Sequence, residues 1–212
     1  MRLTVALLAL FLLLPAPGSA QVPTREAALE ALQSPDPGQR QRAVVWLAQV
    51  GRMDDVPALL ARLRDPDEDV RAIAERAIWV IWSRSGNPQT DALFLEGIAQ
   101  LNAGQFKEGI ATFSRVIAMA PEFAEGWNKR ATVYFLVGDF ERSLKDCDEV
   151  IKRNPHHFGA LAGYGQIYTQ LDDYERAIEY FKRALAVNPN LDGVEFQVRV
   201  LEHALAERRK KS

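Results

Sequence analysis

The sequence predicts an all-α fold, a right-handed helical-repeat solenoid, and three observations support that. From Thr90 onward the chain repeats three times with a period of 34 residues. Upstream it repeats twice with a period of 31. Periods of this size mark arrays of one small helical unit that buries its apolar face only by stacking on a neighbour. Third, 48% hydrophobic and 25% charged residues in a chain of 212 give it the make-up of an ordinary folded protein, so disorder is excluded as its main state. The 26 basic against 28 acidic residues leave no global positive field to hold nucleic acid.

Residues 1–20 read as an export leader. Arg2 supplies the positive end, Leu3 to Leu14 the apolar run, Pro15, Pro17 and Gly18 the break, and Ser19-Ala20 a small-residue cleavage site before Gln21. The run is shorter than the roughly 20 apolar residues of a membrane span, with an uncleaved anchor as the alternative. No cysteine follows it, so a lipid-modified end is not available. After cleavage no membrane span is expected.

Residues 21–86 carry the shorter period. Leu29 and Leu60, Leu32 and Leu63, Pro35 and Pro66, Asp36 and Asp67, Arg40 and Arg71, Ala43 and Ala74, and Leu47 and Ile78 coincide. An Asp-Pro turn therefore precedes a helix start, where carboxylates suit the helix dipole. This block resembles short HEAT-type repeats. Two units are too few to be stable alone, so they are expected to complete one continuous solenoid with the downstream repeats. The run Ala77-Ile78-Trp79-Val80-Ile81-Trp82 is apolar around much of a helix. Its two indoles read as the joint between blocks or as a partner contact, and Ser83 to Pro88 as a short loop.

Residues 87–189 carry the longer period, in copies at about 90–121, 124–155 and 158–189. A large residue (Leu93, Trp127, Leu161) lies four before a small one (Gly97, Ala131, Gly165), so both share one helix face. The small residue lets a second helix approach. Gly104, Gly138 and Asp172 stand where a left-handed turn ends the first helix. Phe106, Phe140 and Tyr174 anchor the second, and Pro121, Pro155 and Pro189 stop it. These residues resemble the tetratricopeptide repeat. The sequence departs from that pattern at Gly109 and Ser143, where alanine is preferred, and at Glu96 and Arg130, where leucine is. The first copy is thus expected to be looser. Residues 190–212 then form a cap helix, with Val194, Val198, Leu201 and Leu205 as its packed stripe and a basic end at Arg208 to Lys211.

No catalytic, metal or cofactor site is expected. Cys147 stands where Phe113 and Phe181 stand, so it reads as a buried, protonated packing thiol. His156 and His157 read as an exposed turn. Asp65 to Asp69, Asp146, Asp148 and Glu149 read as residues at helix starts or on polar faces.

The first helix of each pair lines the inner surface of a curved stack. Helical geometry places Asp91, Phe94, Ile98 and Leu101 there in copy one. In copy two it places Glu125, Asn128, Thr132 and Phe135, and in copy three Gly159, Ala162, Gln166 and Thr169. The expected contact set for a peptide is Phe94, Ile98, Leu101, Glu125, Asn128, Thr132, Phe135, Gln166 and Thr169, with Asn128 and Gln166 bonding its backbone. Phe94, Ile98 and Leu101 are either apolar anchors or covered by the Trp79/Trp82 helix. Some tetratricopeptide proteins grip a terminal carboxylate with a lysine, asparagine and arginine clamp. The corresponding places here hold Phe94, Ile98, Lys129, Gly159 and Gly163, so that clamp is absent.

The resemblance to small exported bacterial tetratricopeptide proteins implies a non-enzymatic scaffold or adaptor for a protein or peptide. It implies a periplasmic address, with secretion or an N-terminal anchor as alternatives. Self-assembly into homo-oligomers is the second reading, and a HEAT-type enzyme accessory subunit the third.

Overall fold

The computed structural model describes residues 24–211. The leader expected at 1–20 lies outside the described residues. Eleven α-helices succeed one another among the described residues. The upstream block holds α1 (Arg25–Ala31), α2 (Pro37–Val50), α3 (Val56–Arg62) and α4 (Glu68–Trp82). The three pairs are α5 (Pro88–Asn102) with α6 (Phe106–Met119), α7 (Ala124–Leu136) with α8 (Phe140–Arg153), and α9 (Phe158–Gln170) with α10 (Tyr174–Val187). Helix α11 (Asp192–Lys211) closes the stack.

The repeat signals act locally, as their chemistry requires. Gly104, Gly138 and Asp172 take φ of 70°, 78° and 58°. Asp172 is the one non-glycine at positive φ among the described residues, and its backbone is thus held where most side chains are disfavoured. Asp139 and Asp173 cap α8 and α10 by accepting from Arg142 N and Arg176 N at 3.1 Å each. Gln105, at the head of α6, makes no side-chain cap.

Small residues sit against large ones across each pair. A Cβ on Gly97 would stand 2.7 Å from the Phe113 ring, and one on Gly165 2.4 Å from Phe181. In copy two the large partner is replaced by buried Cys147, and Ala131 takes the glycine's place in the same cluster. The departures have their own partners. Ser143 Oγ donates to Ala131 O at 2.8 Å. Arg130 forks onto Asp146, Nε to Oδ2 and Nη2 to Oδ1 at 2.8 Å each. Asp146 is therefore buried in an ion pair, not on a polar face. Trp127 is half-buried where Leu93 and Leu161 are buried. Its indole lies between the Arg130 and Arg153 guanidiniums, 5.1 and 4.9 Å from their carbons.

The upstream block is organised by ion pairs. Asp36 and Asp67 cap α2 and α4. Arg40 forks onto buried Asp65 at 2.8 and 2.6 Å and also donates to Ser34 O and Pro35 O. Its repeat equivalent Arg71 donates to Asp65 O and Pro66 O. Asp65 thus lies at the core of the turn and not on a polar face. Burial pushes its carboxyl up, but the Arg40 fork, the Asp67 amide and Arg62 outweigh that and hold it below the usual carboxylate range.

The block does not simply extend the stack in chain order. It is linked to copy one by the 83–87 loop, yet it packs on copy three. Arg64 donates to Ala186 O and Val187 O, and Asn190 Nδ2 to Leu63 O at 2.8 Å. Phe158 belongs to the same apolar core as Leu47, Leu59 and Ile78, with Val187 and Leu191 at its edge. In α11, Val198 and Leu201 are buried and Val194 and Leu205 half-buried, as the stripe predicts. The basic end folds back: Arg208 stacks on Tyr174, 4.0 Å from the ring centre, and pairs with Asp172.

Candidate functional site: the inner wall of copies two and three

The residues assigned to the inner wall fall into three groups. Asn128, Thr132, Phe135, Gly163 and Gln166 come together around a cleft of about 80 Å³ between α7 and α9, with Gly159 at its rim. Thr132 and Gln166 are exposed and Phe135 is half-buried beside Phe140, so the cleft offers both polar and aromatic contact. Asn128 is mostly buried, and its side-chain amide is already used on Glu125 at 3.0 Å. Thr132 and Thr169 turn their hydroxyls onto their own helix, to Asn128 O and Gly165 O.

A second group is covered. Phe94 is 3% exposed, its ring 5.1 Å from Phe123 and 5.9 Å from Phe113, with half-buried Ile98 and Leu101 on the same cluster. It is not an open anchor, and the Trp79/Trp82 helix is not what covers it. Phe123, from the turn between copies, swings its ring over that end of the wall. Asp91 is used locally on the Ser85 amide and hydroxyl.

The third group forms the seam between the blocks. Glu125 is 1% exposed and so is no surface residue. Its carboxylate meets His157 Nε2 at 2.8 Å and Lys129 Nζ at 2.8 Å. Burial pushes this carboxyl up, but the His157 hydrogen bond and the Lys129 ammonium carry it below the usual range. His157 is fully buried, not in an exposed turn, whereas His156 beside it is exposed. Its Nδ1 caps α9 by accepting from Ala160 N at 3.0 Å, which leaves Nε2 to carry the proton toward Glu125. Trp82 stacks on the imidazole, centroids 4.4 Å apart at 18°. Trp79 meets Phe158 edge-on at 5.2 Å and lies under Lys129 Nζ, 5.5 Å from its ring centre. The two indoles are thus the joint between blocks, though to copies two and three. A larger cleft of about 260 Å³ opens beside the seam, with Trp82, Arg84, Phe123 and Arg153 among its walls.

One signal in the repeat points to the burial of His157: it aligns with Phe123 and Leu191, both packed against apolar clusters. Burial pushes the Cys147 thiol up to about 12, and Asp146 and Asp148 add to that, so it is protonated and a poor nucleophile near neutral pH.

Paired helices repeating every 34 residues around a shared inner wall define a helical-repeat protein of the stacked-pair class. The tetratricopeptide repeat model matches residues 94–146 and 129–192, and the HEAT repeats model matches 8–103. A TPR repeat-containing protein of Rhizobium etli is 30% identical over 158 residues, 74% of this chain and 76% of that one. The chain therefore belongs to the tetratricopeptide repeat family. The small glutamine-rich tetratricopeptide repeat-containing protein of Dictyostelium discoideum is 35% identical over 95 residues, 45% of this chain but only 28% of its own length. Among solved structures, the Sgt2 TPR domain from Aspergillus fumigatus has a TM-score of 0.56 at 20% identity, covering 58% of this chain and 83% of that one. The first TPR of Spaghetti (RPAP3), bound to HSP90 peptide SRMEEVD, has a TM-score of 0.54 at 23% identity, covering 55% and 93%. Both likenesses are of fold. No helix among the described residues is long and apolar enough to cross a membrane.

Proposed function

We propose that the chain is a non-enzymatic adaptor that binds a protein or peptide along the inner wall of copies two and three. The observation that carries this is the convergence of Thr132, Phe135 and Gln166 on one cleft, while their copy-one counterparts, Ile98 and Leu101, pack against the Phe94 cluster. A groove with an aromatic floor and amide or hydroxyl rims suits an extended or helical peptide, with an apolar side chain on the floor and polar groups at the rims. The RPAP3 domain takes an HSP90 peptide. Lys129, at a place the carboxylate clamp of some tetratricopeptide proteins would use, is committed to Glu125 and Trp79, so a terminal carboxylate is not the expected ligand.

Photo-crosslinking tests the wall. A benzophenone amino acid at Thr132 or Gln166 is expected to trap a partner in the source cell, and one at exposed Lys145 on α8 is not. Equal adducts from the outer position would overturn the assignment. The compartment we propose is outside the cytosol, periplasmic in a bacterial host, supported by the Arg2, Leu3–Leu14 and Ser19-Ala20 pattern. N-terminal sequencing of the protein from its host reads this directly: a chain starting at Met1 would reject cleavage. Self-association is the second reading, favoured by Phe196 and Val200, 56% and 45% exposed one turn apart on α11. A concentration-independent monomer in light scattering rejects it.

A further inference from the structure

We propose that α4 is the resident ligand of this inner wall, and that the wall selects a helix presenting two aromatic side chains one turn apart. The proposal rests on reading the wall as a partner surface, and it adds what that surface recognises. Trp79 and Trp82 sit at i and i+3, so both project from one side of α4. Each meets a feature of the wall that suits an indole. Gly159 leaves a slot: a Cβ there would stand 2.5 Å from the Trp79 ring. Copies one and two place Asp91 and Glu125 at the same position, so the missing side chain is peculiar to the copy that receives Trp79. Lys129, anchored by Glu125, holds its ammonium over the Trp79 face. His157, fixed from both sides by Ala160 N and Glu125, offers a flat ring to Trp82.

Gly159 also lies on the rim of the open cleft, so the occupied and open stretches are one continuous surface. The block's other ties are Arg64 and Asn190, which grip the α10–α11 turn, and Phe158, which joins the block's apolar core. Trp79 is the α4 side chain that fills the Gly159 slot, so one substitution removes that contact while the other ties remain. A ligand carried on the same chain acts at an effective concentration on the order of millimolar. An outside helix of the same kind must compete with it, entering from the open end at Phe135 and Gln166.

The test uses the full chain and a labelled synthetic peptide spanning residues 68–83. The Trp79→Ala chain is expected to bind this peptide about tenfold more tightly than the unaltered chain. Adding Gly159→Val, which refills the slot, is expected to abolish the gain. Equal affinity for the two chains, or a gain that survives Gly159→Val, overturns the proposal. If Trp79→Ala loses its helical circular dichroism, Gly159→Val alone decides by hydrogen exchange. Faster exchange in α4 with α10 unchanged supports the resident ligand; unchanged α4 overturns it. Crosslinking from Thr132 and Gln166 does not depend on Trp79. Intact crosslinks with a failed peptide experiment would therefore reject the resident ligand and leave the partner surface standing.

Discussion

The upstream block and the tetratricopeptide array are both helices packed on helices, but they set their geometry by different forces. The array relies on shape: Gly97 admits Phe113, Gly165 admits Phe181, and Ala131 suffices where Cys147 is small. The upstream block relies on charge: Arg40 on Asp65, Arg25 on Asp55, and Arg71 on the carbonyls of the turn between units. Shape is insensitive to pH and intolerant of a methyl group. Paired charges tolerate changes in volume nearby but fail when a partner is neutralised. The two halves of one chain should therefore fail under different insults.

Acid gives the largest contrast. Asp55 and Asp65 in the upstream block have carboxyls lowered against the pull of burial, by Arg25 and by Arg40, and Glu125 at the seam is lowered by His157 with Lys129. A lowered group contributes stability fully above its unfolded pKa of about 4, and that stability is lost as pH falls through the lower folded value. Asp146 in the array differs: burial holds it above its ordinary value despite Arg130, so protonation relieves a cost. Hydrogen exchange in acid should show α2–α4 opening before α10. If α10 opened first, charge would not be what holds the upstream block.

At neutral pH the seam is the most sensitive place. Glu125→Ala strands Lys129 and the capping histidine and is expected to cost about 3–5 kcal/mol in denaturant unfolding. Within the array, Gly165→Ala drives a methyl into Phe181 and should cost about 2–3 kcal/mol. A loss under half of that would mean the pair yields. A double-mutant cycle sharpens the same rule. Cys147→Phe alone should destabilise, Ala131→Gly should partly rescue it, and a coupling of about 1–2 kcal/mol is expected. Additive effects would reject the size matching. The smallest effect has the opposite sign. Gly109 lies within α6, and a Cβ there would meet Val133 at 3.8 Å and Leu101 N at 4.0 Å, ordinary contacts, so Gly109→Ala should stabilise by about 0.5–1 kcal/mol.

Helices, turns and the small/large pairs were legible because each depends on residues within one 34-residue copy. Asp172 is the clearest instance: its alignment with Gly104 and Gly138 predicts a left-handed backbone, and φ is 58°. The site was legible in part. Helical register put Thr132, Phe135 and Gln166 on one face, and they share a cleft. The same register put Phe94 and Glu125 on that face too, but it carries no information about what arrives from elsewhere. Phe123 comes down on Phe94, and His157 draws Glu125 into the seam. Trp127, which repeat alignment assigns to the core, instead lies half-buried between Arg130 and Arg153, residues from two helices.

Sequence alone determined the class of fold, the number of paired helices, where each one starts and stops, and which faces pack within a copy. These are short-range matters of backbone preference and side-chain spacing. Only the tertiary structure decided where the upstream block docks. Its contacts link Arg64 with Val187, Leu63 with Asn190, and Trp79 with Gly159. Residues that far apart are brought together by surfaces fitting, and a repeat period records nothing of that.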